Sequence, residues 1–211
     1  MLSCTAVNSG LEGSLLEGVV DAHLAAFPTN FTSMLGPAFL AKYYSGLAGR
    51  EDAHIWVATS SNKVVGFACG VDDSRSFYQS LKRDPSIVPP VLMKFATRVD
   101  LRRRIFRRAV NVLRRSAVNP VVHEVGHEIM SVAVSPDAQG TGVGSELLTN
   151  YLSSLFEDRN VLQAFITTDS DDERVLTFYE RHGFRQRQTF DQSDDRRMTV
   201  CAIPNPYLGD A

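Results

Sequence analysis

A glycine-rich loop between an apolar alternation and a helical pattern constrains this chain more than any other stretch. Residues 131–148 read SVAVSPDAQGTGVGSELL, and Gly140, Gly142 and Gly144 lie where one pattern gives way to the other. Glycines allow a tight turn and a close backbone approach, while the first N–H groups of the following helix favour an anion. No Lys precedes a Ser or Thr, so the loop is not a P-loop. The stretch therefore predicts a strand, a turn and a helix in that order. The turn either binds a phosphate or is only a tight connection.

Composition bounds the class of protein. The chain has 211 residues, enough for one sizeable core, and its 44% hydrophobic and 22% charged content is typical of a soluble globular enzyme. No apolar run approaches the roughly 18 residues of a membrane span, and the N-terminus lacks the basic flank and apolar stretch of a signal peptide. Cys4, Cys69 and Cys201 are widely spaced. They indicate reduced thiols in a cytoplasmic protein, instead of disulfides or a zinc cluster.

The net charge of −2 conceals an asymmetry. Residues 94–115 hold nine Lys or Arg and one Asp, a local charge of +8, which leaves −10 on the rest of the chain. This segment belongs to a polar-to-basic helical stretch over 75–118, interrupted by prolines, that we interpret as an insertion. Three uses remain open for it: a solvated face, a peripheral contact with anionic lipid, or a collar for an anionic acceptor or for phosphates. The charge of the whole chain indicates no nucleic-acid partner.

The hydrophobic periodicity predicts a mixed α/β order of elements. Apolar residues at helical spacing, turn residues and β-branched runs define each of them. The predicted helices are 15–27, 37–48, 143–156 and 171–183; the predicted strands are 54–59, 64–71, 127–134, 161–168, 184–190 and 196–203.

Two motifs in register resemble the GNAT N-acetyltransferase superfamily. The spacing Gln139-x-x-Gly142-x-Gly144 is similar to the family's pyrophosphate-binding motif Q/R-x-x-G-x-G/A, and TFYERHGF at 177–184 is similar to its closing F-Y-x-x-x-G-F helix and strand. With EIMSVAV as the central strand, the resemblance covers residues 127–190. It implies a single α/β (α+β) domain over 1–211: a mixed, mostly antiparallel sheet flanked by helices, with the helical insertion before the central strand.

The resemblance also implies the donor and the residues that hold it. Acetyl-CoA would supply the acetyl group without a metal, because no phosphoryl group moves. Backbone amides at 140–145 would grip its pyrophosphate, and free amides of a central strand that splays from its neighbour would bind the acetyl carbonyl and pantetheine. Asp172 replaces an Asn common in the family and can still accept a hydrogen bond. The cofactor-binding residues implied are Val132, Ala133, Val134, Gln139, Gly140, Thr141, Gly142, Val143, Gly144, Ser145 and Asp172.

Two side chains are candidates for proton transfer. An ammonium acceptor must lose a proton before it attacks a thioester, and Glu128 stands where the family often carries the general base. Partial burial would have to raise its pKa from about 4.3; Glu124 is the fallback base, and a merely solvated Glu128 is the alternative. By resemblance, the Tyr179 hydroxyl protonates the departing thiolate. The alternative is a core aromatic, but Phe178 can fill the core in its place.

HEVGH at 123–127 has the form of the zinc-protease motif H-E-x-x-H. On a helix, its two histidines would lie roughly 6 Å apart on one face. On a strand they would lie roughly 13 Å apart and could not share one zinc ion. Because the surrounding residues are β-branched and lead into the central strand, we predict that His123 and His127 are ordinary strand or loop residues.

The sequence therefore predicts a cytoplasmic, acetyl-CoA-dependent N-acetyltransferase that transfers the acetyl group directly to a primary amine of a small molecule, such as an amino sugar, or of a peptide. A non-catalytic acyl-CoA-binding module on the same fold and, less favoured, a zinc hydrolase are the alternatives. The resemblance implies that the acceptor would contact Phe27–Leu35, Tyr43–Tyr44 and the acidic turn Asp191–Asp195. A monomer and a homodimer both remain open.

Overall fold

The computed structural model of this chain describes residues 2–7, 10–87, 126–159, 161–192 and 196–208. Most of the predicted insertion lies outside the described residues, and so do its basic segment 94–115, Glu124 and His123. The part of the insertion that is described forms one helix and a short 3-10 turn, Pro85–Ile87.

Strands and helices alternate in the order that the hydrophobic pattern predicts, with two additions. A first strand and a five-residue second helix were not predicted, because LSCTA and FTSML are too short to show a period. The strands are β1 (Leu2–Ala6), β2 (Ala53–Ser60), β3 (Lys63–Val71), β4 (His127–Val134), β5 (Gln163–Asp169), β6 (Arg185–Gln192) and β7 (Arg196–Pro204). The helices are α1 (Gly13–Ala26), α2 (Phe31–Leu35), α3 (Pro37–Ala48), α4 (Ser74–Arg83), α5 (Val143–Asp158) and α6 (Glu173–Arg181).

Local chemistry explains several of these boundaries. Pro37 occupies the first turn of α3, where its missing N–H has no intrahelical partner to lose. The tight β2–β3 hairpin turns at Ser61 and Asn62, both with positive φ, as a two-residue turn of this kind requires. Helix α6 ends as predicted before Gly183, whose φ is +88° and whose left-handed conformation suits glycine.

The strands form one mixed sheet of seven, in the order β1-β2-β3-β4-β5-β7-β6. Every neighbouring pair is antiparallel except β4 and β5, which run parallel. The expected mixed, mostly antiparallel sheet flanked by helices is therefore confirmed, and β4 is its central strand.

Helices cover both faces of the sheet and create two apolar clusters. On the first face, α1, α3 and α4 pack over β2, β3 and β4, with Leu40, Leu47, Phe67 and Phe77 essentially buried. On the second face, α5 and α6 pack over the sheet, with Leu147, Leu148, Tyr151 and Leu155 buried. We call these the α1/α3 face and the α5/α6 face. The sheet, with β4 at its centre, separates the two faces.

Candidate functional site

The glycine-rich loop turns from β4 into α5 through two left-handed glycines. Gly140 has φ +77° and Gly142 has φ +90°, and a Cβ built on either would meet no atom within 4 Å. Both glycines therefore serve the backbone conformation and leave open space beside it. Gly142 is the N-cap of α5, so the first amide groups of a 16-residue helix face this space.

Neighbouring side chains hold the loop in place. The Gln139 amide nitrogen donates to the Val134 carbonyl at 3.0 Å, and the Thr141 hydroxyl donates to the Ala138 carbonyl at 2.7 Å. Both side chains thus bind their own backbone. Val143 turns its side chain into the core of the α5/α6 face. These residues shape the turn, and their backbone amides are the groups that remain for an anion.

The central strand parts from β5 near its middle. The parallel pairs are His127 with Ala164, Glu128 with Phe165 and Ile129 with Ile166; the pairing between the two described strands ends there. Farther along, β5 pairs with β7 as far as Asp169, on its other side. Residues 130–134 therefore border a gap in the sheet on the side of β5.

Backbone alternation tells which amide groups face that gap. The Ser135 amide donates to the Val65 carbonyl of β3 at 2.8 Å. Because successive N–H groups of a strand point to opposite sides, the Ala133 amide also faces β3, while the amides of Val132 and Val134 face β5 and the gap. This agrees with the predicted splay for Val132 and Val134. The Ala133 side chain is buried on the α1/α3 face instead.

A β-bulge divides β4 into two halves. Cys69 of β3 pairs with Ser131 and Gly70 pairs with Ile129, so Met130 is an extra residue on β4. The side chains of Ile129 and Val132 consequently both pack on the α5/α6 face, although an unbroken strand would place them on opposite faces. The bulge lies at the start of the gap.

Glu128 lies beside the bulge on the α1/α3 face, opposite to His127 and Ile129. Its side chain is half-buried. Burial raises the pKa of Glu128, and a hydrogen bond with Ser74 at the start of α4 partly offsets that rise. The Glu128 carboxylate also helps to raise the pKa of Tyr78, after burial. The raised pKa that general-base catalysis requires is present, in surroundings that the sequence pattern did not reveal.

Tyr179 is buried on the opposite face of the sheet. Only 4% of the residue is exposed, and its ring packs edge-on against Phe178 and Phe184 at centroid distances of 5.2 and 5.4 Å. Burial raises the pKa of Tyr179, so its hydroxyl stays protonated and can donate. The expectation that Phe178 fills the core in place of Tyr179 is wrong, because Phe178 is the more exposed of the two.

Within the described residues, no buried side-chain oxygen or nitrogen lacks a hydrogen-bond partner.

Asp172 precedes α6 and caps it. Its carboxylate accepts a hydrogen bond from the Val175 amide at 3.2 Å, as an N-cap residue does. The predicted contact between Asp172 and pantetheine stays a prediction.

A cleft of about 600 Å³ opens between the first turn of α5 and the outward face of α6. Gly144 brings the two helices close together, since a Cβ at this position would lie 3.6 Å from the Phe178 ring. Ser145 lines the cleft on one side; Glu173, Arg174, Thr177, Phe178, Arg181 and His182 line it on the other. The cleft thus borders the first turn of α5, the helix that follows the glycine-rich loop.

The first residue of β4 is locked into a buried polar network. His127 is fully buried; its Nδ1 and the Asp72 carboxylate are 2.6 Å apart, and its Nε2 and the Tyr151 hydroxyl are also 2.6 Å apart. Because a carboxylate only accepts, Nδ1 donates to Asp72 and Nε2 accepts from Tyr151. Burial lowers the pKa of His127, more than the carboxylate raises it, which favours the neutral ring.

His127 therefore lies on a strand, as predicted, and the helical geometry of a zinc-protease motif is not present at its position. No group of three or more His, Cys, Asp or Glu side chains is arranged to hold a metal ion in the part of the chain that the structure describes. None of the helices described is long and apolar enough to cross a membrane. The three cysteines are free thiols.

Comparison with known proteins finds one family model that matches part of the chain. Residues 107–184 match the model of the acetyltransferase (GNAT) family, and this stretch contains β4, the glycine-rich loop, α5, β5 and α6. The match supports the GNAT N-acetyltransferase superfamily and an acetyltransferase enzyme. No curated protein was found to match the sequence.

Solved structures agree on the fold of this protein. An aminoglycoside 6′-N-acetyltransferase complexed with coenzyme A is 10% identical, with 99% of each chain covered and a TM-score of 0.63. The ribosomal-protein-S18-alanine N-acetyltransferase from Escherichia coli is 15% identical, with 100% of this chain and 97% of that chain covered and a TM-score of 0.61. Ard1 from Thermoplasma volcanium is 17% identical, covering 95% and 97%, with a TM-score of 0.57. At these identities the likeness shows the fold alone.

Proposed function

We propose that this protein transfers an acetyl group from acetyl-CoA directly to a primary amine of a small molecule or a peptide, with Glu128 as general base and Tyr179 as general acid. The observation that carries the proposal is the gap between β4 and β5. It begins at the bulge beside Glu128, exposes the amides of Val132 and Val134, and leads to the glycine-rich loop.

The thioester would lie in the gap between β4 and β5, where it is accessible from both faces of the sheet. The pyrophosphate of the donor would bind the amides at residues 140–145, and the pantetheine arm would run along Val132–Val134. The amide facing the acetyl carbonyl would stabilise the negative charge that develops on its oxygen during attack. Gly142 and Gly144 keep this path clear of side chains.

Proton transfers on opposite faces complete the reaction. The acceptor ammonium gives a proton to Glu128, and the neutral amine then forms the N–C bond. The C–S bond breaks, and the Tyr179 hydroxyl gives its proton to the departing sulfur. The nitrogen releases its second proton to solvent, and solvent returns a proton to the Tyr179 oxygen. Glu128 lies on the α1/α3 face and Tyr179 on the α5/α6 face, so the nucleophile and the leaving group approach the thioester from different sides.

The acceptor would enter over the α1/α3 face. Tyr78 is 37% exposed beside Glu128, and the Tyr43 hydroxyl contacts the Met130 sulfur at 3.9 Å. An amine here would meet aromatic rings and one carboxylate, a combination that suits a cation before it is deprotonated. A cytoplasmic location, at which acetyl-CoA is plentiful, is part of this proposal.

The test is release of free CoA thiol from acetyl-CoA with a panel of amines: amino sugars, aminoglycosides, polyamines, and peptides with free N-termini or lysines. We expect turnover with one class and no requirement for added metal. CoA binding without release of thiol for any amine would favour a non-catalytic module instead.

A second measurement tests the general base. Glu128→Gln should lower kcat/KM by about a hundredfold or more near pH 7, and by less at alkaline pH, where the amine arrives already deprotonated. The matched control is Glu17→Gln, an exposed carboxylate on α1. A loss that is the same at every pH would assign Glu128 a structural role.

A further inference from the structure

The outward face of α6 presents two arginines to the cleft beside the glycine-rich loop. Arg174 and Arg181 are seven residues apart, so they lie on one side of the helix, about 10 Å from each other along its axis. Both line the cleft. Within the described part of the chain, neither guanidinium group forms a hydrogen bond or an ion pair.

Three acidic side chains on or next to α6 are engaged elsewhere. Asp172 caps α6, Glu180 accepts a hydrogen bond from Gln186 at 2.9 Å, and Asp169 pairs with Arg196 at 2.8 Å. Glu173 is the one carboxylate that lines the cleft, against two guanidinium groups. Among the described residues that line it, the cleft therefore carries a net positive charge.

The position of the cleft restricts the anion that fits there. Ser145, on the facing wall, is in the first turn of α5 and only three residues beyond Gly142. The adenosine half of a donor whose pyrophosphate lay on that loop would enter the cleft if it extended towards α6. The adenosine of CoA carries a third phosphate, a 3′-phosphomonoester, which is the group that a bidentate guanidinium recognises well.

We propose that Arg174 and Arg181 bind the 3′-phosphate of the donor's adenosine and thereby select CoA thioesters over their 3′-dephospho counterparts. This inference rests on the proposed function, because it takes CoA as the ligand of the loop. It adds a specificity determinant on α6, outside the pyrophosphate loop and away from the reacting thioester.

The experiment compares the affinities of CoA and 3′-dephospho-CoA by isothermal titration calorimetry. The wild-type protein should bind CoA at least about tenfold more tightly, the effect of one charge-assisted hydrogen bond. Arg174→Gln with Arg181→Gln should abolish that ratio by weakening CoA alone, and higher salt should reduce the ratio in the wild type. The matched control is Arg185→Gln with Arg187→Gln, two exposed arginines on β6.

Three outcomes would overturn the inference. Equal affinity of the wild type for both ligands would show that the 3′-phosphate is not recognised. Equal weakening of both ligands in the double variant would assign the arginines to the pyrophosphate or to the fold. An unchanged ratio in the double variant, with the melting temperature intact, would place the recognition elsewhere.

The single variants Arg174→Gln and Arg181→Gln repeat the measurement if the double variant does not fold. Failure of the proposed function itself looks different, because the wild type would then bind neither CoA nor 3′-dephospho-CoA.

Discussion

The two halves of β4 differ in how their backbone groups are paired. At Glu128 and Ile129 the strand is paired on both sides, and its first residue, His127, pairs with β5 and is tied to Asp72 and Tyr151. From Ser131 to Val134 it pairs with β3 alone, borders the gap and leads into a loop with two left-handed glycines. One half is held rigidly, and the other exposes backbone groups. The rigid half fixes the bulge and Glu128, from which the open half extends towards the glycine-rich loop.

The glycines next to the two halves of β4 are required for different physical reasons. Next to the rigid half, Gly70 leaves room for the polar network: a Cβ there would overlap the Glu128 carbonyl and lie 2.5 Å from both His127 Nε2 and the Tyr151 hydroxyl. Next to the open half, Gly142 has free space around it and is required for its positive φ. Substitutions at these two glycines should therefore fail in different ways.

The largest effect is expected in the open half. Gly142→Asp should weaken CoA binding on the order of a hundredfold or more, because a carboxylate would stand beside the pyrophosphate. Gly142→Asn is the control, since Asn has a similar shape without the charge and tolerates a positive φ. Calorimetry measures both affinities, and equal binding by Gly142→Asp and the wild type would contradict the position of the pyrophosphate.

Gly70→Ala should destabilise the protein through the rigid half of β4. We expect it to lower the free energy of unfolding by about 2–3 kcal/mol, because the new methyl group forces the His127–Tyr151 contact and the strand apart. Gly46→Ala is the control, since a Cβ there meets nothing within 4 Å and replaces glycine in α3. Urea unfolding monitored by circular dichroism distinguishes the two, and equal stability would mean that the network tolerates displacement.

Tyr179→Phe should separate chemistry from binding on the α5/α6 face. It removes only the hydroxyl, so we expect kcat to fall by about tenfold, less than a general acid usually contributes, because a thiolate is a good leaving group. CoA affinity and melting temperature should stay near those of the wild type. Weaker CoA binding with unchanged kcat would assign the hydroxyl to ligand contact.

The smallest expected effect is on the free energy of unfolding, which is lowered because the Glu128 carboxylate is half-buried. Its raised pKa means that the folded state prefers the protonated form, so stability is lost as the pH rises from the unfolded value of about 4.3 through the folded value. Glu128→Gln should therefore be slightly more stable than the wild type near pH 7 and equal to it below pH 4. Melting temperatures across this pH range test the sign, and a gain at low pH alone would contradict the burial of the charge.

Short-range patterns predicted the elements that build the site. The alternation VAV, the glycines of the loop and the apolar spacing of LLTNYL specify strand, turn and helix within residues 132–152, and α6 with Gly183 is specified in the same way. Hydrophobic periodicity and turn preferences depend on residues only a few positions apart, so they can be recognised in the sequence alone. The same reasoning predicted that His127 is a strand or loop residue and made a helical zinc motif the less favoured alternative.

Long-range pairing decided the rest. The bulge at Met130 depends on how β3 pairs with β4, and the gap depends on where β5 leaves β4 to follow β7. The partners of His127 come from residues 72 and 151, and the burial of Glu128 comes from α4. The sequence by itself determined which groups are available for acetyl transfer. Only the tertiary structure decided which face each one occupies, because a single extra residue in one strand reverses the side-chain alternation beyond it.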